Sequence, residues 1–351
     1  MAKTKENKSN DETKSPAKKE NEYIGIDFGT SKVAICTSDG KKVLEQSVVG
    51  YPKDVIARNL LKADVLYGTK ALKHRNSLNI KRPVEDGVLI NDKESIEAAR
   101  GLLEHCLKSI KLQDDDISYT IVGVPAEASI LNKKMLTGMA KEFFTGVMVV
   151  SEPFCVAYGV EELEHAIFVD IGAGTIDLCR VHGTLPQPDD QISIPRGGDF
   201  IDYEIIKLIT EQYTDANITK ELVKKWKETF AFVGAGSNDC IVEIQVGSST
   251  LKLPIAEEIK QACETLVPEI VVGISKLIST YDPEFRDELR KNIRICGGGS
   301  RIANIDTFIE EALEQIGGGK VSIVNDPIYG GANGALKLAE NMPPEFWDQI
   351  R

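Results

Sequence analysis

The sequence predicts an α/β protein in which a domain with a mixed sheet occurs twice, with two acidic glycine hairpins facing a shared cleft. Two observations carry that expectation. IGIDFGTSKV (Ile24 to Val33) and VDIGAGTIDL (Val169 to Leu178) each place an Asp at the end of an apolar run and a glycine two residues on. Aligned on Asp27 and Asp170, both then show an apolar residue at the sixth and eighth following positions, Cys at the ninth and Gly at the thirteenth. One such turn is ordinary turn chemistry; two in matched frames point to an internal duplication. The second observation is that the order of strand-like and helix-like segments starts again at His165.

In chain order, residues 1–22 alternate Lys with Glu, Asp, Asn and Ser and hold almost nothing apolar, which predicts a disordered tail. From Tyr23, YIGID, KVAICTSDG and KKVLEQSVVG read as β-rich runs separated by turns, and the stretch from Pro52 to Pro83 is more polar. Asp92 to Ile110 has apolar residues at helical spacing behind acidic residues suited to a helix start. Ser118 to Ala126 reads as a buried strand running into a turn, Ser129 to Phe144 as a helix, and VMVVSE (Val147 to Glu152) as a strand. Pro153 suits the first turn of the next helix, PFCVAYGVEEL. The second half opens with a strand, turn and strand from His165 to Gly183, and QISIPRGGDFIDYEIIKLI leads from a strand into a helix. Asn292 to Leu313 is a strand, three glycines and an amphipathic helix.

With 351 residues, 27% charged and 42% hydrophobic, the chain has material for a folded core and for two domains. No apolar run approaches the roughly 20 residues that span a bilayer, and MAKTKENKSN lacks the apolar core of a secretion signal. A cytoplasmic protein without direct membrane insertion is expected. The seven Cys form no CxxC pair and read as reduced, mostly buried thiols. The four His are isolated, so any metal is expected on oxygen ligands. A formal charge of −12 argues against nucleic acid as a partner.

Glycine lets a hairpin tip turn successive N–H groups toward phosphate oxygens. Gly29, Thr30 and Ser31, with Lys32 beside them, form one such tip, and Gly172, Ala173, Gly174 and Thr175 form the other. Asp27 and Asp170 would then lie near phosphate, where repulsion demands a cation; Mg2+ with several retained waters is implied. ICGGGSR (Ile295 to Arg301) and RGGDFID (Arg196 to Asp202) add glycine turns at helix entrances, where backbone can approach a nucleotide.

The ordered series DFGTSK, SEPFCVAYG, VDIGAGTIDL, GGDFID, ICGGGSRIANID and DPIYGGANGALKLA resembles the motif set of the actin, Hsp70 and sugar-kinase superfamily, from Tyr23 to about Ala339. SVVGYPKDVI, VVSEPFCVAYG and PPEFW resemble, more narrowly, the magnetosome-associated bacterial actins. The resemblance implies an actin-like fold, two RNase H-like domains with mixed five-stranded sheets flanked by helices and a nucleotide cleft between them. Domain I would span 23–160 with an outer insertion at about 52–86. Domain II would span 161–351 with one at about 200–265, its C-terminal helix packing back on domain I. It further implies ATP and Mg2+ as ligands, Glu152 as the residue that positions the attacking water, and Asp27 and Asp170 around hydrated magnesium. Gly198, Gly298, Gly299 and Arg301 would lie on the adenosine side, with Lys227 and Glu228 as ribose or base contacts. KKWKETFAFVGA (Lys224 to Ala235) departs in spacing from the usual bacterial-actin version, which bears on those last two.

The fold alone does not select a function. A chaperone of the Hsp70 type would need a substrate-binding domain after the ATPase, and a small-molecule kinase would need an acceptor pocket with a general base, for which no motif stands out. The expected function is therefore a filament-forming ATPase whose partner is itself, head to tail, together with magnetosome-associated proteins. A sugar or acid kinase is the alternative.

Overall fold

The computed structural model describes residues 21–112, 117–236 and 240–350. The expected disordered tail lies outside them except for its last two residues. There the expectation is corrected, because Glu22 already belongs to the first strand and pairs with Ser118. Strand pairing needs only backbone groups, so a polar side chain at its start is no obstacle.

The first sheet begins with the meander β1 (Glu22–Phe28), β2 (Lys32–Thr37) and β3 (Lys42–Gln46). The chain then leaves the sheet: β4 (Val49–Pro52), α1 (Val55–Leu61), β5 (Leu66–Tyr67), α2 (Gly68–Lys73) and β6 (Leu78–Lys81) form a small outer layer, followed by the hairpin β7 (Val84–Glu85) and β8 (Val88–Leu89). KKVLEQSVVG is thus two strands rather than one run. Ser47 divides them, donating from Oγ to Gly29 O at 2.6 Å and from N–H to Ser31 O at 2.9 Å, which bends the chain away from the sheet beside the first glycine tip. The polar Pro52 to Pro83 stretch hides two short helices.

The chain returns through α3 (Lys93–Ile110), β9 (Ser118–Val124), α4 (Ile130–Ala140), β10 (Gly146–Ser151) and α5 (Glu152–Gly159). Asp92 caps α3 by accepting from Ser95 N–H at 2.8 Å. Glu152, read from sequence as the end of a strand, is the first residue of α5, with Pro153 next to it.

The second half repeats the plan with β11 (Ala166–Ile171), β12 (Ile176–Val181), β13 (Gln191–Ile194) and α6 (Gly198–Gln212). An outer part holds β14 (Ala216–Asn217), α7 (Lys220–Phe230), β15 (Ile241–Val246), β16 (Ser249–Pro254) and α8 (Ala256–Glu264). α9 (Val267–Ser279), α10 (Arg286–Lys291), β17 (Ile293–Cys296), α11 (Ile305–Leu313), β18 (Val321–Ile323), α12 (Gly330–Asn341) and α13 (Pro344–Ile350) complete the chain.

The sheets run β10-β9-β1-β2-β3 and β13-β12-β11-β17-β18, so each central strand has an antiparallel hairpin partner on one side and a parallel strand on the other. Each sheet buries its own apolar cluster, and a third cluster joins α5, α12 and α13, with Trp347 stacked on Tyr119 at 4.9 Å. Glycine makes that junction possible. A Cβ at Gly25 would meet Ala332 O at 2.0 Å, and one at Gly334 would meet Cys155 O at 1.7 Å, so α12 lies directly on the backbones of β1 and α5.

Candidate functional site

The two hairpin tips close alike: Gly29 N–H donates to Lys32 O at 3.0 Å, and Gly172 N–H donates to Thr175 O at 2.9 Å. They meet at close range. A Cβ at Gly174 would lie 2.6 Å from Thr30 Oγ1 and 2.8 Å from Asp86 Cα, so a side chain there would hold the tips apart. Thr30 Oγ1 accepts from Gly87 N–H at 2.7 Å, tying the β7–β8 turn to the first tip. α6 starts against the second tip, with Gly198 N–H on Gly172 O at 3.0 Å and Asp199 N–H on Ala173 O at 2.8 Å.

Between the tips lies a cavity of about 470 Å3. Its wall holds every residue singled out from sequence: Asp27, Gly29, Thr30, Ser31, Lys32, Glu152, Asp170, Gly172, Ala173, Gly174, Thr175, Gly198, Lys227, Glu228, Gly298, Gly299 and Arg301. The strands deliver the acids and the turns deliver the amides. Asp27 and Asp170 sit one residue before the ends of β1 and β11, and Glu152 opens α5. At Gly297 the backbone has φ 75, and a Cβ would come 2.1 Å from Asp170 Oδ1, so only glycine fits beside that carboxylate.

The acids are electrostatically frustrated. Burial raises Asp27 from 3.8 to about 6. Burial, then the charges of Asp27 and Asp177, raises Asp170 to about 8. Glu152 is pushed well above the usual carboxylate range by burial and then by Asp27, Asp170 and Asp177. Its Oε1 is buried with no hydrogen-bond partner among the described residues. Such a cluster suits a ligand that brings donors and positive charge. Among the described residues no three His, Cys, Asp or Glu side chains converge as direct metal ligands. A cation fits here through water and ligand oxygens, as a carboxylate pair facing glycine amides would hold it.

These shifts set a pH dependence. A folded-state carboxyl pKa above the unfolded value means that the folded chain holds more protons between the two, so stability falls as pH rises through that interval. The ligand-free protein should therefore melt at progressively lower temperature as pH increases from near 4 to near 8, the interval bounded by 3.8 and the raised values of about 6 and about 8. Asp170→Asn should flatten the upper part of that curve. Differential scanning calorimetry across the interval checks this, and a Tm independent of pH in the wild type would contradict it.

Among the wall and near-wall residues that the sequence reading did not single out, three bear on how the site is held together. Lys224 on α7 reaches across the cleft and donates to Ser31 Oγ at 2.6 Å; burial lowers its pKa, partly offset by Glu228 and Asp199. Its only sequence signal is the helical spacing that puts Lys224, Lys227 and Glu228 on one face. Asp177, buried in β12, accepts from Ala126 N–H at 2.8 Å, Ser193 Oγ at 2.7 Å and Thr175 Oγ1 at 2.7 Å, so it braces the second tip and joins it to the turn after β9. A lone Asp within an apolar strand was the available clue. Gly87, a turn glycine, carried none. Lys227 lines the cavity, yet its ammonium pairs with buried Asp202 Oδ1 at 2.7 Å and donates to Gly198 O, tying α7 to α6.

A family model described as MreB/Mbl protein matches residues 21–344. The actin-like protein MamK of Paramagnetospirillum magneticum is 40% identical over 330 residues, 93% of this chain and 95% of that protein. Among solved structures, the MamK double helical filament superposes with a TM-score of 0.89 at 39% identity, covering 92% of this chain and 100% of that one. A non-polymerising mutant of MamK bound to AMPPNP gives 0.71 at the same 39% identity, again with 92% and 100% covered. The sheet orders, the paired glycine hairpins and these matches agree: the chain has the actin-like fold and belongs to the MreB/Mbl family, in the group that includes MamK.

Proposed function

We propose that this protein is a filament-forming ATPase in which ATP-driven closure of the two domains favours head-to-tail assembly and hydrolysis weakens the polymer. One observation carries the reading. At equal identity and coverage, the chain superposes better on the MamK filament subunit, at 0.89, than on the non-polymerising AMPPNP-bound mutant, at 0.71. A second MamK filament structure, at 40% identity, gives 0.81, also above the mutant, and both filament matches support the reading of an assembling chain. The kinase alternative has no comparable support.

In this reading the amides of Gly29 to Ser31 and Gly172 to Thr175 hold the phosphates from opposite sides, and the turn at Gly298, Gly299 and Arg301 receives the adenosine, with Gly198 and Glu228 on the facing wall. Asp27 and Asp170 hold a hydrated magnesium, which supplies neutralisation of phosphate charge. Glu152, once its neighbours' charges are compensated, ionises; its unpartnered Oε1 then accepts from a water and orients it for in-line attack on the γ-phosphate. Glycine tips with preorganised N–H groups stabilise the developing charge.

Sedimentation and electron microscopy with and without ATP and Mg2+, alongside phosphate release without any acceptor, test the proposal. Nucleotide-dependent filaments support it; acceptor-dependent ATP use without polymer would replace it with the kinase. Positioning of magnetosome organelles is the cellular part of the proposal and rests on resemblance to the magnetosome-associated actins. Unaltered organelle positions in a deletion strain would remove it. Among the described residues no helix is long and apolar enough to cross a membrane.

Lys224→Ala should weaken nucleotide binding about 10- to 100-fold, the range for losing one charge-assisted hydrogen bond of about 1.5–3 kcal/mol in a closed site. Isothermal titration checks this, with Lys225→Ala on the same helix as the control; equal affinity for both variants would remove Lys224 from the site.

A further inference from the structure

Two contacts bridge the cleft from a single helix. On α7, Lys224 Nζ reaches Ser31 Oγ at 2.6 Å, and Glu221, three residues earlier on the same face, accepts from Arg82 Nη2 at 3.4 Å. Ser31 and Lys224 line the nucleotide cavity, whereas Arg82 and Glu221 do not. The ion pair therefore lies outside the cavity wall, beyond the inner contact. Among the described residues it is the one ion pair that joins the two outer parts of the molecule.

Both partners are held from behind. Arg82 follows β6, whose last residue, Lys81, pairs with Val49 in the sheet and with Asp92 through its ammonium at 3.4 Å. Pro83 comes next and biases the backbone of Arg82 toward the extended conformation; Pro83 O accepts from Ile90 N–H at 3.0 Å. The hairpin that starts at Val84 carries Gly87, which is bonded to Thr30 Oγ1 in the first glycine tip. On the other side, Val223 and Trp226 are the buried residues of α7. Lys220 ties its first turn to Asp199 at 2.9 Å, and Lys227 ties its last turn to buried Asp202. Asp199 N–H in turn donates to Ala173 O of the second tip. Each partner is thus linked by short contacts to one glycine tip, and moving the tips apart pulls Arg82 from Glu221.

We propose that Arg82 and Glu221 form a latch that sets how fast nucleotide leaves the cleft. Bound nucleotide escapes while the outer parts are separated, and an attraction made only in the closed arrangement lowers the population of the separated one. The pair touches no part of the cavity, so it acts on exchange and leaves the contacts that hold the ligand as they are. The two side chains are 36% and 33% accessible, and a pair that open to water is screened by salt. Exchange in this chain is therefore governed by ionic strength as well as by the ligand. This inference rests on the nucleotide-binding reading above and assigns the regulation of that site.

Release of methylanthraniloyl-ADP, chased with excess ADP and Mg2+ at protein concentrations below the assembly threshold, measures the latch. Arg82→Glu and Glu221→Arg each set like charges face to face. Each alone should raise the dissociation rate about three- to tenfold, the effect of losing the attraction of a partly exposed pair and gaining a repulsion of similar size. Arg82→Glu combined with Glu221→Arg restores opposite charges and should return the rate to within about twofold of the wild type. Salt gives a second reading, referred to the neutral pair Arg82→Gln with Glu221→Gln. Raising it from about 0.05 M to about 0.5 M should speed release from the wild type and slow it from the single reversals, because screening weakens an attraction in one and a repulsion in the others. A merely structural role for these residues predicts neither the rescue nor the opposite signs. Single reversals that release at the wild-type rate, a loss that the reversed pair does not restore, or identical salt responses in the wild type and the neutral pair would overturn the latch while leaving the proposed function intact. A wild-type chain that binds no nucleotide would overturn both.

Discussion

Glu152→Gln is expected to assemble with ATP as the wild type does and to release phosphate at least about 100-fold more slowly, the lower end of what a positioned general base contributes. Three facts converge on that size of effect. Glu152 begins α5 at the cleft wall. Its Oε1 is buried without a hydrogen-bond partner among the described residues. Its carboxyl is held in the protonated direction by burial and by Asp27, Asp170 and Asp177. Glutamine keeps the shape and removes the ionisable oxygen, so binding and closure persist while orientation of the water fails. The filaments should then persist after ATP addition, read by light scattering next to a phosphate-release assay. In the wild type, single-turnover hydrolysis should rise with pH until Glu152 is ionised in the loaded site, and the variant should lack that limb. Wild-type turnover by Glu152→Gln would remove the residue from this role.

Gly334→Ala is expected to destabilise the protein by about 3 kcal/mol or more, at or above the upper end of overpacking, and Gly138→Ala to stabilise it by about 0.5–1 kcal/mol. Both sites are helical glycines, so helix propensity predicts the same sign for both. Space reverses it at one of them. A Cβ at Gly334 lands 1.7 Å from Cys155 O and 2.4 Å from Cys155 C, both backbone atoms of α5, whereas one at Gly138 meets nothing within 4 Å. The only relief at Gly334 is separation of α12 from α5, which would also displace Glu152 at the start of α5 and Gly331, where a Cβ would lie 3.2 Å from Asp27 Oδ2. Urea denaturation of the two variants measures the contrast; a Gly334→Ala protein as stable as wild type would mean that the helices do not pack at this distance.

How much of the site was legible follows from how local each signal is. The hairpin tips could be read because turn chemistry lies in adjacent residues: the glycines, the preceding Asp and the alternating apolar positions all fall within one short frame, and the frame occurs twice. Glu152 was singled out by its place in a motif series and expected at a helix entrance, where the structure has it, although the strand written as VMVVSE ran one residue too far because boundaries next to a proline are soft. Lys224 was missed because its partner, Ser31, lies 193 residues away, and nothing in KKWKE distinguishes the lysine that reaches into the cleft from its solvated neighbours. Lys227, selected from sequence, proved to be shared between the cavity and a buried partner on α6, for the same reason.

The sequence by itself determined the duplicated α/β plan, the two glycine hairpins and the acids behind them, because short-range conformational preference and hydrophobic periodicity are properties of neighbouring residues. Only the tertiary structure decided which charges meet across the cleft and which glycines are required by another backbone rather than by their own φ. Those outcomes depend on desolvation and close packing between segments far apart in the chain, and neither quantity exists until the two sheets and their connecting helices are brought together.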